Sequence, residues 1–548
     1  MIRHEVDAWD TERQKKREKM EAIYQFSDGK VVKEDQIKQL LEAAIRPGET
    51  VAIEGDNQKQ AVQLSKGLAT VDPKKVNGLH IVMSCTQMQE HLDIFELGIA
   101  EKLDFSYAGN AAKRLPEMIE AGTVKVGAIH TYLEMFSRMF TDLIPNVCLC
   151  VAEEADKDGN LYTGPNTEET PTIVEATAFK SGVVIVQVNK LVDKVTRIDI
   201  PGEWVDVVVP TEKPCVIEPI MTRDPQYIKD VHVLQGMMAI KGIYAKHLVT
   251  RMNHGIGFNT AAIELLLPTY GEELGLKGKI CTNWVSNPIP AMIPAIETGW
   301  VKSVVAFGSE LGMEDYVRER SDVFFTGVDG SLRSNRCYAQ MAGMYGIDMF
   351  TGSTLQMDAD GNSSTVTKGR ITGFGGAPNM GSNPHGRRHS SPAWNSMITN
   401  PSDPMAKGNK LVTQIVRTQT KAGPTFVEQL DAVEVGKQAG FAEPPVMIYG
   451  EDLTHLITEV GLGYVYMGET PEERRKIIAA VAGDTPVGHT ITTKEINDLR
   501  AAGKVAFPED LGIDPSEATR ERLAAKNMKE ITDWSDGLYK APPKFKNW

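Results

Sequence analysis

Residues 119–126 read Ile-Glu-Ala-Gly-Thr-Val-Lys-Val, and residues 296–303 read Ile-Glu-Thr-Gly-Trp-Val-Lys-Ser. Each segment leads into an apolar run. A second pair follows in the same order: Asp156-Lys-Asp-Gly-Asn-Leu-Tyr-Thr and Asp358-Ala-Asp-Gly-Asn-Ser-Ser-Thr. Two matched segments in one order point to two similar domains in tandem. Around them, short apolar runs alternate with amphipathic stretches. The runs at 51–53, 79–83, 124–129, 147–152 and 183–188 read as buried strands. The stretches at 34–44, 58–68 and 111–120 read as helices. Strands alternating with helices of this length predict open, mostly parallel α/β sheets. The rhythm restarts with the helix-like HVLQGMMAIKGIYAKHLV (232–249) and continues through apolar runs at 279–285, 301–307 and 446–449.

This reading divides the chain into a charged N-terminal segment (1–24), a first domain (25–225), a second domain (226–485) and a short C-terminal helical extension (486–548). Residues 210–225, rich in proline, form the join. The extension carries two polar stretches, 492–503 and 515–531, and serves either to strap the domains together or to dock a partner. The Asp-x-Asp-Gly-Asn segments begin like a calcium loop. That loop needs Gly at its sixth position and Glu at its twelfth, where this chain has Leu161 or Ser363 and Thr167 or Gly369, so a turn between strands is expected instead.

The composition narrows the function. Of 548 residues, 41% are hydrophobic and 24% charged, an ordinary globular balance. With 59 Lys+Arg against 73 Asp+Glu, the net charge of −14 disfavours nucleic acid as a partner. No apolar run is long enough to span a membrane, and the charged start has no signal-peptide core, so a cytoplasmic location is expected. Six cysteines and eleven scattered histidines form no metal-ligand spacing, so no metal is expected.

Open α/β sheets bind ligands beyond the carboxyl ends of their strands. Three loops fit. Asn253-His-Gly-Ile-Gly-Phe-Asn259 is a glycine turn entering a helix, which presents amides to an anion; Gly255, Gly257 and Asn259 are its candidate substrate contacts. Gly373-Phe-Gly-Gly-Ala-Pro-Asn379 could aim two adjacent amides, Gly375 and Gly376, at a developing oxyanion. Thr282-Asn-Trp-Val-Ser-Asn-Pro288 is a polar strand end centred on Asn283. A basic cluster, His385-Gly-Arg387-Arg388-His389, with Lys368 and Arg370 upstream, suits a small anionic substrate.

These residues together resemble the CoA-transferase superfamily. Over most of its length the chain is similar to the α subunits of biotin-independent malonate decarboxylases. The similarity is carried by EGDNQKQ (54–60), KLDFSYAG (102–109), GAIHTYLE (127–134), GNLYTGPNTEETP (159–171) and HGIGFNTAAIELLLPTYGEELGLKGKIC (254–281). It continues through FGSELGMEDY (307–316), DVFFTGVDGSLRSNR (322–336) and GRITGFGGAPNMG (369–381). The resemblance implies two tandem CoA-transferase-type domains with the site in the second, at the interdomain cleft. It also implies the reaction of acetyl-S-carrier protein with malonate to give malonyl-S-carrier protein and acetate. The thiol would belong to a phosphoribosyl-dephospho-CoA-type prosthetic group on a separate carrier subunit. Decarboxylase subunits would complete the complex, and no cofactor would be bound covalently to this chain. Many CoA transferases carry a nucleophilic glutamate where this sequence places Asn283. An amide cannot form a glutamyl thioester, so the resemblance implies direct attack by the substrate carboxylate. Glu310, in Ser-Glu-Leu-Gly, is the alternative nucleophile. The other readings are a CoA transferase using free acetyl-CoA, a citrate lyase α-like subunit, a sugar-phosphate isomerase on the related fold and a non-catalytic scaffold.

Overall fold

The structure, a computed structural model, describes residues 8–55, 59–213, 218–382 and 410–548. The echoed segments fold alike. Helices Arg114–Glu120 and Ile293–Glu297 each run into a glycine of positive φ, Gly122 at +69° and Gly299 at +76°. The amides of Gly122 and Thr123 donate to the carbonyls of Ile119 and Met118 at 3.0 and 2.9 Å. Those of Gly299 and Trp300 donate to Ile296 and Ala295 at 2.9 and 2.8 Å. This glycine stop satisfies the last helical carbonyls and turns the chain into an edge strand. The two Asp-Gly-Asn turns match as closely. Asp156 Oδ1 accepts the amides of Asp158 and Asn160, both at 3.0 Å, and Asp358 Oδ1 accepts those of Asp360 and Asn362, both at 3.0 Å. The leading aspartate is therefore consumed by the turn itself.

The first sheet contains β1 (Thr50–Ile53), β2 (Leu79–Cys85), β3 (Ala100–Tyr107), β4 (Lys125–Ile129), β5 (Val147–Ala155), β6 (Leu161–Tyr162), β7 (Val183–Leu191) and β8 (Val207–Pro210). Its order is β4-β3-β2-β1-β5-β7-β8, all parallel, with β6 antiparallel on β5. Both faces are covered. Val147 and Leu149 pack with Ile53 on one side, while Cys148 and Cys150 pack with Ala52 on the other. This two-sided burial explains the unbroken apolar run.

The second sheet contains β9 (Arg251–His254), β10 (Asn283–Val285), β11 (Ser303–Val305), β12 (Met349–Gly352), β13 (Leu411–Ile415), β14 (His455–Ile457), β15 (Leu462–Gly463) and β16 (Val505–Ala506). Its order is β11-β10-β9-β12-β13-β14-β15-β16, parallel through β14 and antiparallel thereafter. Each sheet thus starts at a central strand, builds outward to one edge and then crosses to the other side. The crossing lies between β1 and β5 in one sheet and between β9 and β12 in the other.

Three expected elements differ. The apolar run at 279–285 becomes a strand only from Asn283. Ile280 and Cys281 are buried in the preceding loop, and Cys281 has φ +56°, which no strand residue adopts. At 446–449 only Ile448 pairs, in a single bridge to Ser363. The polar stretch 515–531 is broken into turns at Pro515–Glu517 and Arg520–Arg522, with a helix only at Met528–Trp534. The C-terminal region also adds β16 to the second sheet and sends Ile513, Met528, Ile531 and Tyr539 into its core. Among the described residues, no helix is long and apolar enough to cross a membrane, and no three His, Cys, Asp or Glu side chains are grouped to hold a metal ion.

Candidate active site

A cavity of about 320 Å³ opens at the carboxyl ends of β9 and β12, the crossing point of the second sheet. That is where open α/β sheets leave a crevice. Gly255 follows β9, and Gly352 ends β12. The glycine loop 373–376 lines the cavity as well, and the first domain contributes Tyr107 and Tyr132. The volume suits small acyl groups.

The glycine loop is held by the first domain. Phe374 and Gly375 both donate their amides to the carbonyl of Ser106, at 2.7 and 3.0 Å. The Gly375 carbonyl accepts the amide of Tyr132 at 3.2 Å, and the Thr372 carbonyl accepts that of Ala108 at 2.8 Å. Gly375 makes this turn at φ +57°. The expected pair of oxyanion donors is therefore corrected: Gly375 lines the cavity, but its amide is spent on Ser106. The Gly376 amide has no acceptor among the described residues. Its neighbour is Gln340, whose Oε1 accepts from Asn379 Nδ2 at 2.8 Å. A Cβ added at Gly376 would stand 2.6 Å from Gln340 Nε2. The donors that meet at this wall are thus Gly376 N–H and Gln340 Nε2.

Asn283 needs a second correction. It sits at the amino end of β10, away from the cavity, donating to Ser303 Oγ at 2.7 Å and accepting from Thr282 Oγ1 at 2.8 Å. The displaced start of the strand puts Ser286 and Asn287 just beyond its carboxyl end, and both line the cavity. Asn287 is buried, and its Oδ1 has no hydrogen-bond partner among the described residues. Gly255 and Gly257 line the cavity as expected from the glycine turn, but Asn259 does not. Asn259 donates to the Ile415 carbonyl at 3.1 Å, tying its helix to the sheet. Glu310 is buried outside the cavity wall, where its Oε1 accepts the Thr222 amide at 2.9 Å and the Thr222 hydroxyl at 2.5 Å. It fastens the interdomain join and does not face the cavity. Lys368 and Arg370 lie on a hairpin elsewhere, and Arg387 and Arg388, with the histidines beside them, lie outside the described residues.

The cations that the described residues bring to the cavity are Arg223, from the join, and Arg336, at the start of helix Arg336–Gly346. Arg336 is buried against Glu168, pairs with its carboxylate and lies over the Tyr132 ring at 4.7 Å. Arg223 donates to the carbonyls of Ile220 and Thr222 at 2.9 and 3.0 Å. Arg223 lies in the join and Arg336 ends the segment 322–336 that carries the resemblance, but no local pattern marks either as a cavity cation; each reaches the cavity only through the tertiary fold. Only the proline-rich join flagged by composition hinted at the first.

Among the described residues, Glu264 alone supplies a carboxylate to the wall. His254 Nδ1 lies 2.9 Å from Glu264 Oε1, and His254 Nε2 lies 2.9 Å from the Tyr244 hydroxyl, itself 2.9 Å from Thr351 Oγ1. Burial pushes the Glu264 carboxyl up, toward its neutral form. A carboxyl so held, with one oxygen engaged by His254, is a weak nucleophile.

The family model described as "Malonate decarboxylase, alpha subunit, transporter" matches residues 8–548. The chain belongs to the malonate decarboxylase alpha-subunit family. It is 54% identical to the acetyl-S-ACP:malonate ACP transferase of Malonomonas rubra, over 98% of this chain and 99% of that protein. A Pseudomonas malonate decarboxylase hetero-tetramer, solved in complex with malonate, contains a chain 55% identical, with a TM-score of 0.96 over 99% of this chain and 100% of that one. A Streptococcus mutans protein assigned as a citrate lyase alpha subunit shares the fold alone, at 16% identity and a TM-score of 0.59 over 91% of this chain and 86% of that one.

Proposed function

We propose that this chain exchanges acyl groups on a carrier-bound thiol, converting acetyl-S-carrier protein and malonate to malonyl-S-carrier protein and acetate. The carrier's thiol belongs to a CoA-type prosthetic group and enters as substrate. Decarboxylase subunits of the same complex then consume the malonyl thioester. One observation carries the mechanism: the cavity brings unspent donors together, while the carboxylate that the described residues give its wall, Glu264, is buried and engaged by His254. Family membership supports the choice of substrates.

The exchange proceeds in two balanced steps. A malonate carboxylate oxygen attacks the acetyl carbonyl carbon, the C–S bond breaks, and the thiolate leaves behind an acetyl-malonyl anhydride. The thiolate then attacks the malonyl carbonyl carbon, the bond to the bridging oxygen breaks, and acetate departs with that oxygen. No proton is gained or lost. Each addition places negative charge on a carbonyl oxygen, for which Gly376 N–H and Gln340 Nε2 are the donors. One such donor is worth about 10²–10³ in rate. The Glu264–His254–Tyr244 chain holds His254 and Glu264 of the cavity wall in one arrangement, so the acyl groups meet a fixed surface.

The test is direct. Full-length protein, acetylated carrier and [¹⁴C]malonate should give label on the carrier and release one acetate per label. Acetate release without label on the carrier would mean thioester hydrolysis and would contradict the assignment.

A further inference from the structure

Of the two cavity guanidiniums, Arg336 forms a salt bridge with a protein carboxylate and Arg223 forms none among the described residues. Arg336 pairs with the buried Glu168 carboxylate. Arg223 makes hydrogen bonds only to the Ile220 and Thr222 main-chain carbonyls and has no ion-pair partner among the described residues. Glu310 is close enough to interact with it electrostatically, but makes no salt bridge with it and directs one oxygen to Thr222. The other titratable group facing Arg223 is the Tyr107 hydroxyl, which burial pushes up and so keeps neutral. Burial pulls the Arg223 guanidinium down from its ordinary range, yet arginine does not deprotonate in proteins. A cation placed at a cavity wall without its own carboxylate is costly unless a ligand brings one.

We propose that Arg223 is the specificity-determining residue that holds the distal carboxylate of malonate, the one that does not attack, and so distinguishes the dicarboxylate from acetate. The inference rests on the acyl exchange proposed above. Its geometry follows from the fold: Gly376 and Gln340, the donors for the reacting carboxylate, and Arg223, from the interdomain join, line one and the same cavity. Acetate, lacking a second carboxylate, leaves Arg223 uncompensated. The join therefore does more than connect domains; it carries the group that reads the acceptor acid.

The experiment compares two exchanges on the full-length chain with acetylated carrier: incorporation of [¹⁴C]malonate and of [¹⁴C]acetate. In Arg223→Gln the ratio of malonate to acetate exchange should fall roughly ten- to a hundredfold, the range for a charge-assisted hydrogen bond. Arg223→Lys, which keeps a point charge without the fork, should fall between. Monomethyl malonate, given to the wild-type protein, should lose a similar factor relative to malonate, and this arm needs no variant to fold. A ratio unchanged within twofold in Arg223→Gln, or wild-type protein that accepts the half-ester as readily as malonate, overturns the proposal. Wild-type protein that exchanges neither acid overturns the underlying function instead, so the two failures are told apart.

Discussion

The crossing points of the two sheets have one topology and opposite chemistry. At the first, Glu54 follows β1 fully buried and is satisfied from within. Val151 donates its amide to Oε2 at 2.9 Å, Thr170 donates its hydroxyl to Oε1 at 2.5 Å, and Lys59 Nζ lies 3.4 Å away. At the second, glycines stand where side chains would fill the space, the Gly376 amide has no acceptor among the described residues, and Arg223 forms no salt bridge among them. A duplicated crevice remains available for chemistry where its charges are left uncompensated. It becomes structure where they pair among themselves.

The largest expected effect breaks the first side of this contrast. Glu54→Gln removes the buried carboxylate that accepts from Val151 and Thr170 and lies beside Lys59, and should lower unfolding stability by about 3–5 kcal/mol, measured by urea denaturation. A loss below about 1 kcal/mol would mean that charge pairing does not seal this crevice. Next, Gly376→Val adds a side chain against Gln340 and should reduce kcat/KM for carrier transfer at least about a hundredfold. Near-wild-type transfer would move the oxyanion donors elsewhere.

A smaller effect concerns how the first domain holds the glycine loop. Asp104 is buried between His80 and His130, with contacts of 2.5 and 2.6 Å. Burial alone would raise its carboxyl, but the hydrogen bonds from both histidines outweigh that and hold it below the carboxylate range. The resulting stabilisation is complete above an ordinary carboxylate pKa of about 4 and fades as pH falls toward the lowered folded value. For His130, burial opposes protonation, yet the hydrogen bonds it donates to the Asp104 and Glu134 carboxylates raise its pKa. Its contribution is full below about pH 6.5 and declines as pH rises through that folded value. Asp104→Asn should cost about 1–3 kcal/mol at neutral pH, flatten the acid limb of the stability profile and lower the His130 pKa seen by NMR. A histidine that titrates unchanged would sever this link. The smallest effect tests the displaced strand: Asn283→Ala should change the exchange rate less than about threefold, since Asn283 faces Ser303 and not the cavity. A hundredfold loss would restore it to the site.

The tandem α/β plan was legible because its signals are local. Buried strands show as apolar runs, and the glycine stops at 122 and 299 repeat the same helix ending. The Gly255 and Gly376 loops were legible for the same reason. Asn283 misled because Ile280 and Cys281 are apolar for loop burial, which stretched the apparent strand four residues upstream. The direction of the Gly375 amide depends on Ser106, far away in sequence, and no local pattern reveals it. Arg223 and Arg336 enter the cavity from the join and from a helix start more than 110 residues apart, so only the fold brings them together.

The central claim is that acyl exchange occurs without a protein-bound acyl or thioester intermediate, and oxygen tracing tests it most directly. In a single turnover with malonate labelled with ¹⁸O in both carboxylates, direct attack sends the bridging oxygen out with acetate, so the acetate released should carry one ¹⁸O atom. Unlabelled first-turnover acetate, with ¹⁸O recovered in a glutamate such as Glu264 or Glu310, would contradict the account.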